Sequence, residues 1–321
     1  MAPIPFLSRF RKKKKRNIPT ASPKQVDRLF AIHRTRLDLG ERPLPRIIHV
    51  ETRSKCNGEC DFCAAAVGKD VRSDEIMPDE IIDNLIRQLQ DARYPNRLSF
   101  YNNNEPFLDD RMPGIIAKAR QALPRAYLEL KSNGKSLTVD KLYQVFQAGL
   151  DALYINDYRT AKQAIAKEHS PSVAKIMEEL RASRRFKGHF AETHYFDRVI
   201  VSLSRIDVAL GSRAGTAPNR SPLEAPQSVP CMRPFEMLTV NPGGLVMLCC
   251  EDLMCVEPMG DLNKQGLWEI WSSPEYDVVR RQLLDGDRSC KSTCAKCDYR
   301  GYTMEIFEEL GVSSHQGGAM I

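Results

Sequence analysis

No segment of this sequence is apolar over the length of a membrane span, and it has no recognisable secretory signal peptide. The short apolar stretch at residues 4–7 precedes the basic run at residues 11–16, whereas a signal peptide places its charge before a longer apolar core. The two absences exclude the sequence patterns of an integral membrane protein and of a secreted one. We therefore expect a cytoplasmic protein.

Outside that basic run, positive and negative residues nearly balance. The chain has 47 Lys and Arg against 41 Asp and Glu, a formal charge of +6, and seven of the cations precede residue 17. We therefore expect no specific nucleic-acid binding. For residues 1–22 we expect a solvated, disordered tail. The alternative is weak contact with an anionic membrane surface, with Phe6, Leu7 and Phe10 at the interface.

Cysteine, in contrast, is plentiful: ten residues fall into groups at residues 56–63, 231–255 and 290–297. With 42% hydrophobic and 27% charged residues, the composition is that of an ordinary globular protein with room for a large domain and a smaller one. Thiols stay reduced in a chain that is not exported. The grouping therefore indicates metal or thiolate chemistry rather than disulfides.

The first group, Cys56, Cys60 and Cys63, has the spacing C-x₃-C-x₂-C. Three thiols are one fewer than a saturated [4Fe–4S] cube takes, so one iron would stay open to a small molecule. A zinc site is the alternative, but it usually has four ligands, and the nearest histidine, His49, lies on the N-terminal side. The spacing favours an iron–sulfur cluster.

Apolar periodicity predicts alternating strands and helices between residues 46 and 210. We expect a parallel sheet, open or barrel-like, in which the reactive loops follow the carboxyl ends of the strands. The first cysteine group and two polar motifs follow such strands. The predicted strands are 46–52, 97–101, 127–131, 152–155 and 198–203, and the helices are 24–39, 78–92, 112–122, 139–148 and 172–183.

The C-terminal third has a different composition. Residues 211–230, rich in Ser, Pro, Arg and Ala, form a candidate connector, and residues 239–247 carry a hairpin signal. One helix is predicted over 267–284. The predicted units are a basic extension with one helix (1–45), a core (46–210), the connector (211–230), a cysteine-rich domain (231–305) and a tail (306–321).

Three motifs together resemble the radical S-adenosylmethionine (radical SAM) superfamily. They are the first cysteine group with an aromatic residue before its last cysteine, the run 103–106 where the family has Gly-Gly-Glu-Pro, and a Ser-Asn-Gly turn at 132–134. The resemblance implies a partial (β/α)6 TIM-like barrel in which S-adenosylmethionine chelates the open iron. The implied cofactor-binding residues are Phe62, Asn103, Asn104, Glu105, Ser132 and Asn133.

The second domain is similar to the "twitch" domain, a shortened SPASM domain. Cys231 and Cys249 flank Gly244, and Cys294-x₂-Cys297 follows. The resemblance implies a small cysteine-rich α+β domain with a β-hairpin, whose four thiols saturate one auxiliary [4Fe–4S] cluster. Cys297 is the last cysteine, so a further cluster is not expected. A zinc site is again the alternative.

Among radical SAM/twitch enzymes, the chain resembles those that oxidise a secondary alcohol of an aminocyclitol. The segment 212–215 is similar to one whose arginine faces the substrate, which implies that role for Arg213; a solvent-exposed linker arginine is the alternative. The implied activity is hydrogen abstraction from a sugar- or cyclitol-like substrate, with an electron passed to the auxiliary cluster. A flavodoxin or ferredoxin would supply the reducing electron.

Two other enzymatic activities stay open at this stage. An epimerase would return a hydrogen atom from a thiol, and Cys250, Cys255 and Cys290 are not assigned to a cluster. We expect Cys250 to point away from Cys249, because neighbours on a strand alternate faces. A peptide-modifying enzyme would need a leader-binding domain, for which residues 1–45 look short and basic.

Overall fold

The structure is a computed structural model that describes residues 23–182, 199–207 and 211–302. The predictions for the basic run, its membrane contact and the C-terminal tail fall outside these residues. None of the described helices is both long and apolar enough to cross a membrane.

Parallel strands dominate the first two thirds of the chain, as predicted. In the sheet they stand in the order β5-β4-β3-β2-β1, and each neighbouring pair is parallel. Their bounds are β1 Ile47–Val50, β2 Arg97–Ser99, β3 Tyr127–Ser132, β4 Ala152–Arg159 and β5 Val199–Arg205. The helices between them are α2 Asp79–Asp91, α3 Met112–Ala122, α4 Val139–Gln147, α5 Ala161–Ala166 and α6 Pro171–Ala182, and α1 Pro23–Asp38 precedes β1.

The helices cover the sheet with the apolar faces that the sequence pattern indicates. In α2, for example, the buried residues recur at helical spacing: Ile81, Ile82, Leu85, Ile86 and Leu89. They join the apolar side chains of the strands in one large core. Helix α5 was not predicted, because its six residues are too few to show a period; a capping box between Thr160 and Gln163 begins it.

The C-terminal segment extends the same sheet. Strand β6 (Met237–Val240) pairs with β1 in parallel, and the antiparallel strands β7 (Leu245–Met247) and β8 (Gly260–Asp261) follow it. The predicted hairpin is therefore present, and the eight-stranded sheet of the described residues is open rather than closed. The mixed α/β architecture is confirmed, whereas the predicted domain boundaries stay predictions.

The single helix predicted over 267–284 is wrong, because two helices occupy this range. They are α8 (Leu267–Trp271) and α9 (Pro274–Leu284), after α7 (Arg233–Glu236) and before α10 (Ser292–Ala295). Pro274 has no N–H to continue α8, and the Ser273 side chain accepts a hydrogen bond from the Tyr276 N–H and begins α9. The dipeptide Ser273-Pro274 was a local sequence signal for the break between α8 and α9.

The backbone after Cys297 packs closely against the backbone before Cys231. Gly301 has a φ of 98°, its carbonyl accepts from the Met232 N–H at 2.6 Å, and a Cβ there would clash with the Pro230 carbonyl oxygen. We expect Gly301→Ala to lower the free energy of unfolding by roughly 2–4 kcal/mol, because both the clash and the left-handed backbone oppose a side chain.

Gly114 supplies the matched control for thermal unfolding. It lies in α3, and a Cβ there would meet nothing within 4 Å. Gly114→Ala is therefore expected to raise the free energy of unfolding by about 0.5–1 kcal/mol, the usual gain in a helix. Equal stabilities of the two variants would contradict the close approach at Gly301.

Candidate iron–sulfur sites and the polar network between them

The first cysteine group lies in the loop that follows β1. The Gly58 N–H donates to the Cys56 Sγ at 3.3 Å, and a Cβ on Gly58 would lie 3.3 Å from that sulfur and 3.7 Å from the Cys60 Sγ. The missing side chain of Gly58 therefore allows the backbone to approach the thiols of Cys56 and Cys60 closely. Burial is the main cause that raises the pKa of Cys56 to about 11 and that of Cys60 to about 12. Such thiols would bind a metal as thiolates and release their protons to solvent on binding.

The Ser-Asn-Gly turn after β3 reaches this loop through Asn133. Its Nδ2 donates to the Asn57 Oδ1 at 2.9 Å and to the Cys56 Sγ at 3.5 Å, and the Asn57 Nδ2 donates to the Ser136 Oγ at 2.8 Å. The loops after β1 and β3 are thus held together beside the three thiols. The Asn133 side chain therefore lies beside the Cys56 thiol, and its contact with the cofactor stays a prediction.

Glu105 lies behind that turn, at 1% exposure. Its carboxylate accepts from the Ser132 Oγ and the Asn133 N–H, each at 2.8 Å, and from the Phe107 N–H at 3.2 Å. Burial raises the pKa of Glu105 to about 7, although these hydrogen bonds oppose the rise. Both oxygens bond to the chain, which supports a positioning role. The direct cofactor contact predicted for Glu105 stays a prediction.

Asn103 replaces the first glycine of the family's motif and acts as a bridge. Its N–H donates to the Glu51 carboxylate, its Oδ1 accepts from the Arg213 guanidinium, and its Nδ2 donates to the Cys250 carbonyl at 3.5 Å. The next residue, Asn104, accepts from the backbone N–H two residues before it, at 3.0 Å. The Asn103 side chain thus ties the β2 loop to the connector and to the second cysteine group.

Phe62 packs between the first cysteine group and the sheet. Its ring is 7% exposed and lies 5.3 Å, centroid to centroid, from the ring of Tyr158 at the end of β4. This contact fixes the loop against β4. Tyr158, which the sequence analysis missed, has a raised pKa, caused first by burial and then by Cys60 and Cys63. Its ring therefore lies among the predicted cluster ligands.

Arg213 is not a solvent-exposed linker residue. Its side chain is 24% exposed, and Nη1 lies 3.7 Å from the Glu251 Oε2. Burial works against its charge, but Glu251, Cys250 and Cys63 outweigh burial and raise the pKa of Arg213. Its φ of 48° and that of Ala214, 53°, are left-handed, a strain of order 1–3 kcal/mol each that the surrounding contacts hold in place. The role toward a substrate stays a prediction.

The four cysteines predicted to bind the auxiliary cluster, two from the second group and two from the third, line one cavity. Arg233 and Tyr299 also line the cavity. All four cysteines are buried: Cys231, Cys249, Cys294 and Cys297. Within the described ranges, no three Cys, His or acidic side chains come close enough to hold a single metal ion. A four-iron cube with one thiolate on each iron needs a wider spacing than a zinc ion, whose sulfur ligands lie at about 2.3 Å from the metal. The donor set fits an auxiliary cluster.

The three remaining cysteines differ in their surroundings. Cys250 is buried and accepts from the Arg233 Nη1 at 3.0 Å, and it is absent from the residues lining the four-thiol cavity. Its predicted orientation away from Cys249 rested on strand alternation, but β7 ends at Met247 and a turn follows. Cys290 shares a hydrogen bond with the Cys294 thiol, and Cys255 lies near Asp252. All ten cysteines are free thiols.

Several charged residues of this region were missed from the sequence. Glu51 follows β1, and burial raises its pKa to about 7 despite the Arg72 guanidinium 3.4 Å away. Glu251 lies 3.7 Å from the guanidinium nitrogens of both Arg213 and Arg233. Their sequence positions were the available signal. Glu51 directly follows β1, Arg233 lies two residues after Cys231, and Glu251 lies two residues after Cys249.

Comparisons with known proteins agree with this arrangement. The SPASM iron–sulfur cluster-binding domain matches residues 231–298. BtrN in complex with AdoMet and 2-DOIA has a TM-score of 0.62 and 23% identity, over 80% of this chain and 94% of that one. For anSMEcpe with bound AdoMet the TM-score is 0.51 and the identity 11%, over 83% and 93%. The resemblance to radical SAM enzymes with a C-terminal SPASM-type domain is confirmed.

A particular relative is the S-adenosyl-L-methionine-dependent 2-deoxy-scyllo-inosamine dehydrogenase of Niallia circulans. This chain is 25% identical to it over 253 residues, which cover 78% of this chain and 92% of the relative. A match of this length includes residues on both sides of the candidate connector at 211–230.

The two cysteine groups predict separable iron contents. The unaltered protein should hold roughly eight irons, and Cys56→Ala with Cys60→Ala and Cys63→Ala should hold roughly four and cleave no S-adenosylmethionine. Cys294→Ala with Cys297→Ala should lose the other cluster and still cleave the cofactor. Iron assay and 5′-deoxyadenosine chromatography measure both. The control Cys255→Ala should match the unaltered protein, and eight irons in either cluster variant would disprove the assignment.

Asn133→Ala is expected to weaken S-adenosylmethionine binding about tenfold, the cost of one lost hydrogen bond of about 1.4 kcal/mol. The variant removes the donor to the Cys56 sulfur and to Asn57, whereas the Asn57 bond to Ser136 and the Glu59–Lys135 ion pair remain. Anaerobic titration calorimetry at matched iron content gives the affinity. Lys135→Ala, which removes only an exposed ion pair with Glu59, is the control; equal losses in both variants would contradict the role of Asn133.

Proposed function

We propose that this protein is a radical SAM oxidoreductase that oxidises a secondary alcohol of a sugar- or cyclitol-like substrate. The observation that carries the proposal is the pairing of a three-thiol loop with a closed four-thiol cavity, bridged by Asn103, Arg213 and Glu251. Cofactor and clusters, when bound, supply a 5′-deoxyadenosyl radical at the first site and an electron acceptor at the second.

The residues of the first site hold and orient the cofactor. Cys56, Cys60 and Cys63 leave one coordination position for it, and Asn133 lies beside Cys56. Glu105 keeps the Ser132-Asn133 turn in place through three hydrogen bonds. The loops after β1, β2 and β3 thus act together. A shift of any one of them would misplace the carbon–hydrogen bond that is to react.

Arg213 binds the substrate oxygen in this proposal. Asn103 and Glu251 fix its guanidinium, and its raised pKa keeps it charged. A fixed cation beside the hydroxyl favours the negative charge that develops when the substrate radical loses its proton. The overall oxidation removes one hydrogen atom from carbon, one proton from oxygen and one electron, and leaves a ketone.

The substrate class rests on the similarity in sequence. The relative from Niallia circulans is named for an action on 2-deoxy-scyllo-inosamine, and we infer a related aminocyclitol or sugar for this chain. A flavodoxin or ferredoxin supplies the electron that begins the reaction. We also infer a cytoplasmic location, which the ten free thiols support.

The test is anaerobic turnover in heavy water with S-adenosylmethionine and a panel of aminocyclitols and sugars. We expect a product that has lost two hydrogen atoms, formed in step with 5′-deoxyadenosine, and almost none from Arg213→Ala. A product of unchanged formula that carries one deuterium at carbon, and that Cys250→Ala abolishes, would instead identify an epimerase. No 5′-deoxyadenosine with any reductant would disprove the radical chemistry itself.

A further inference from the structure

Arg233 is a buried cation with too few partners. It begins α7, two residues after Cys231, and is 2% exposed. Its Nη1 donates to the Cys250 Sγ at 3.0 Å, and the guanidinium carbon lies 4.1 Å from the centroid of the Tyr299 ring. Two further nitrogens, Nε and Nη2, are buried without a hydrogen-bond partner.

Such a side chain is costly unless something compensates its charge. A buried unpaired charge or donor costs a protein several kcal/mol. The Glu251 carboxylate, 3.7 Å from Nη2, is too far away for a hydrogen bond. Glu251 is thus an ion-pair partner only, and Nε and Nη2 still have no hydrogen-bond acceptor. Arg233 also lines the cavity of the four thiols. Four thiolates around a four-iron core carry net negative charge and would offer such acceptors.

Two other buried arginines have more hydrogen-bond partners than Arg233, which leaves both Nε and Nη2 without one. Arg288 lines the same cavity, but it donates to the backbone carbonyls of Val229 at 2.7 Å and Pro230 at 3.1 Å, so its role is structural. Arg280 stacks on the rings of Trp271 and Tyr276, each at 4.3 Å, and does not line the four-thiol cavity. Its Nε donates to the Pro234 carbonyl at 3.0 Å and its Nη1 to the Asp277 Oδ1 at 2.9 Å, so only Nη2 has no partner.

We propose that Arg233 is the built-in counter-cation of the auxiliary cluster and raises its reduction potential. A positive charge and N–H donors beside cluster sulfur favour the reduced, more negative state. The potential of an electron acceptor decides whether it can take an electron, so Arg233 is a tuning residue rather than a catalytic one. The proposal rests on an iron–sulfur cluster in this cavity and not on the identity of the substrate.

The test uses the full chain with Cys56→Ala, Cys60→Ala and Cys63→Ala, so that only the auxiliary cluster remains. Redox titration followed by electron paramagnetic resonance gives its midpoint potential without substrate or S-adenosylmethionine. Adding Arg233→Gln should make reduction at least tenfold less favourable, a shift of about 59 mV to more negative values for one electron. Arg233→Lys, which keeps the charge, should shift it less.

Arg280→Lys is the matched control, because it alters another buried, ring-stacked guanidinium outside the cavity. We expect it to lower the unfolding temperature and leave the potential unchanged. An unchanged potential in Arg233→Gln at full iron content, or the same shift in Arg280→Lys, would overturn the proposal.

Thermal unfolding of the cluster-free protein covers the case in which Arg233→Gln does not retain iron. Removing a buried charge whose Nε and Nη2 lack acceptors should leave the cluster-free form about as stable as before, because its loss also removes those unsatisfied donors. It should destabilise the loaded form. That pattern supports the counter-cation. Equal loss of stability with and without iron would show a purely structural role and overturn it.

Discussion

The parallel pairing of β1 with β6 is the contact on which both candidate sites depend. It runs from Ile47 opposite Met237 to Val50 opposite Val240, so a strand from the C-terminal third becomes part of the core sheet. The first cysteine group leaves the end of β1, and Cys231 precedes β6 by six residues. The pairing therefore fixes both groups to one rigid sheet. A flexible linker between two domains would leave the distance between the sites undefined.

A polar network occupies the space between the two groups. Asn103 contacts Glu51, Arg213 and the Cys250 carbonyl, and Glu251 lies between the guanidinium groups of Arg213 and Arg233. Buried charges of this kind are costly for stability. Their grouping next to the thiols is the pattern of a functional site, where charge and orientation outweigh packing. The same network holds the strained backbone at Arg213 in place.

Much of the fold could be predicted from local pattern. The strands β1 to β5 and the helices α1 to α4 and α6 follow from apolar periodicity, and the hairpin follows from its Asn-Pro-Gly-Gly turn. The predicted helix over 267–284 was wrong because its apolar spacing continued across Pro274. Helix α5 was missed because six residues show no period. The pairing of β6 with β1 joins residues 190 positions apart, and no local pattern carries that information.

The sequence by itself determined which cysteines are grouped as the predicted ligands of each cluster. Their spacing is a local property of the chain, and so are the turns that follow the strands. Only the tertiary structure decided which polar side chains meet them. Asn103, for which the motif predicts a cofactor contact, also joins three loops, and Arg213 is partly buried beside an acidic partner. The unsatisfied guanidinium of Arg233 also emerged only from the packed structure, because a missing partner is a property of the surroundings and not of the residue.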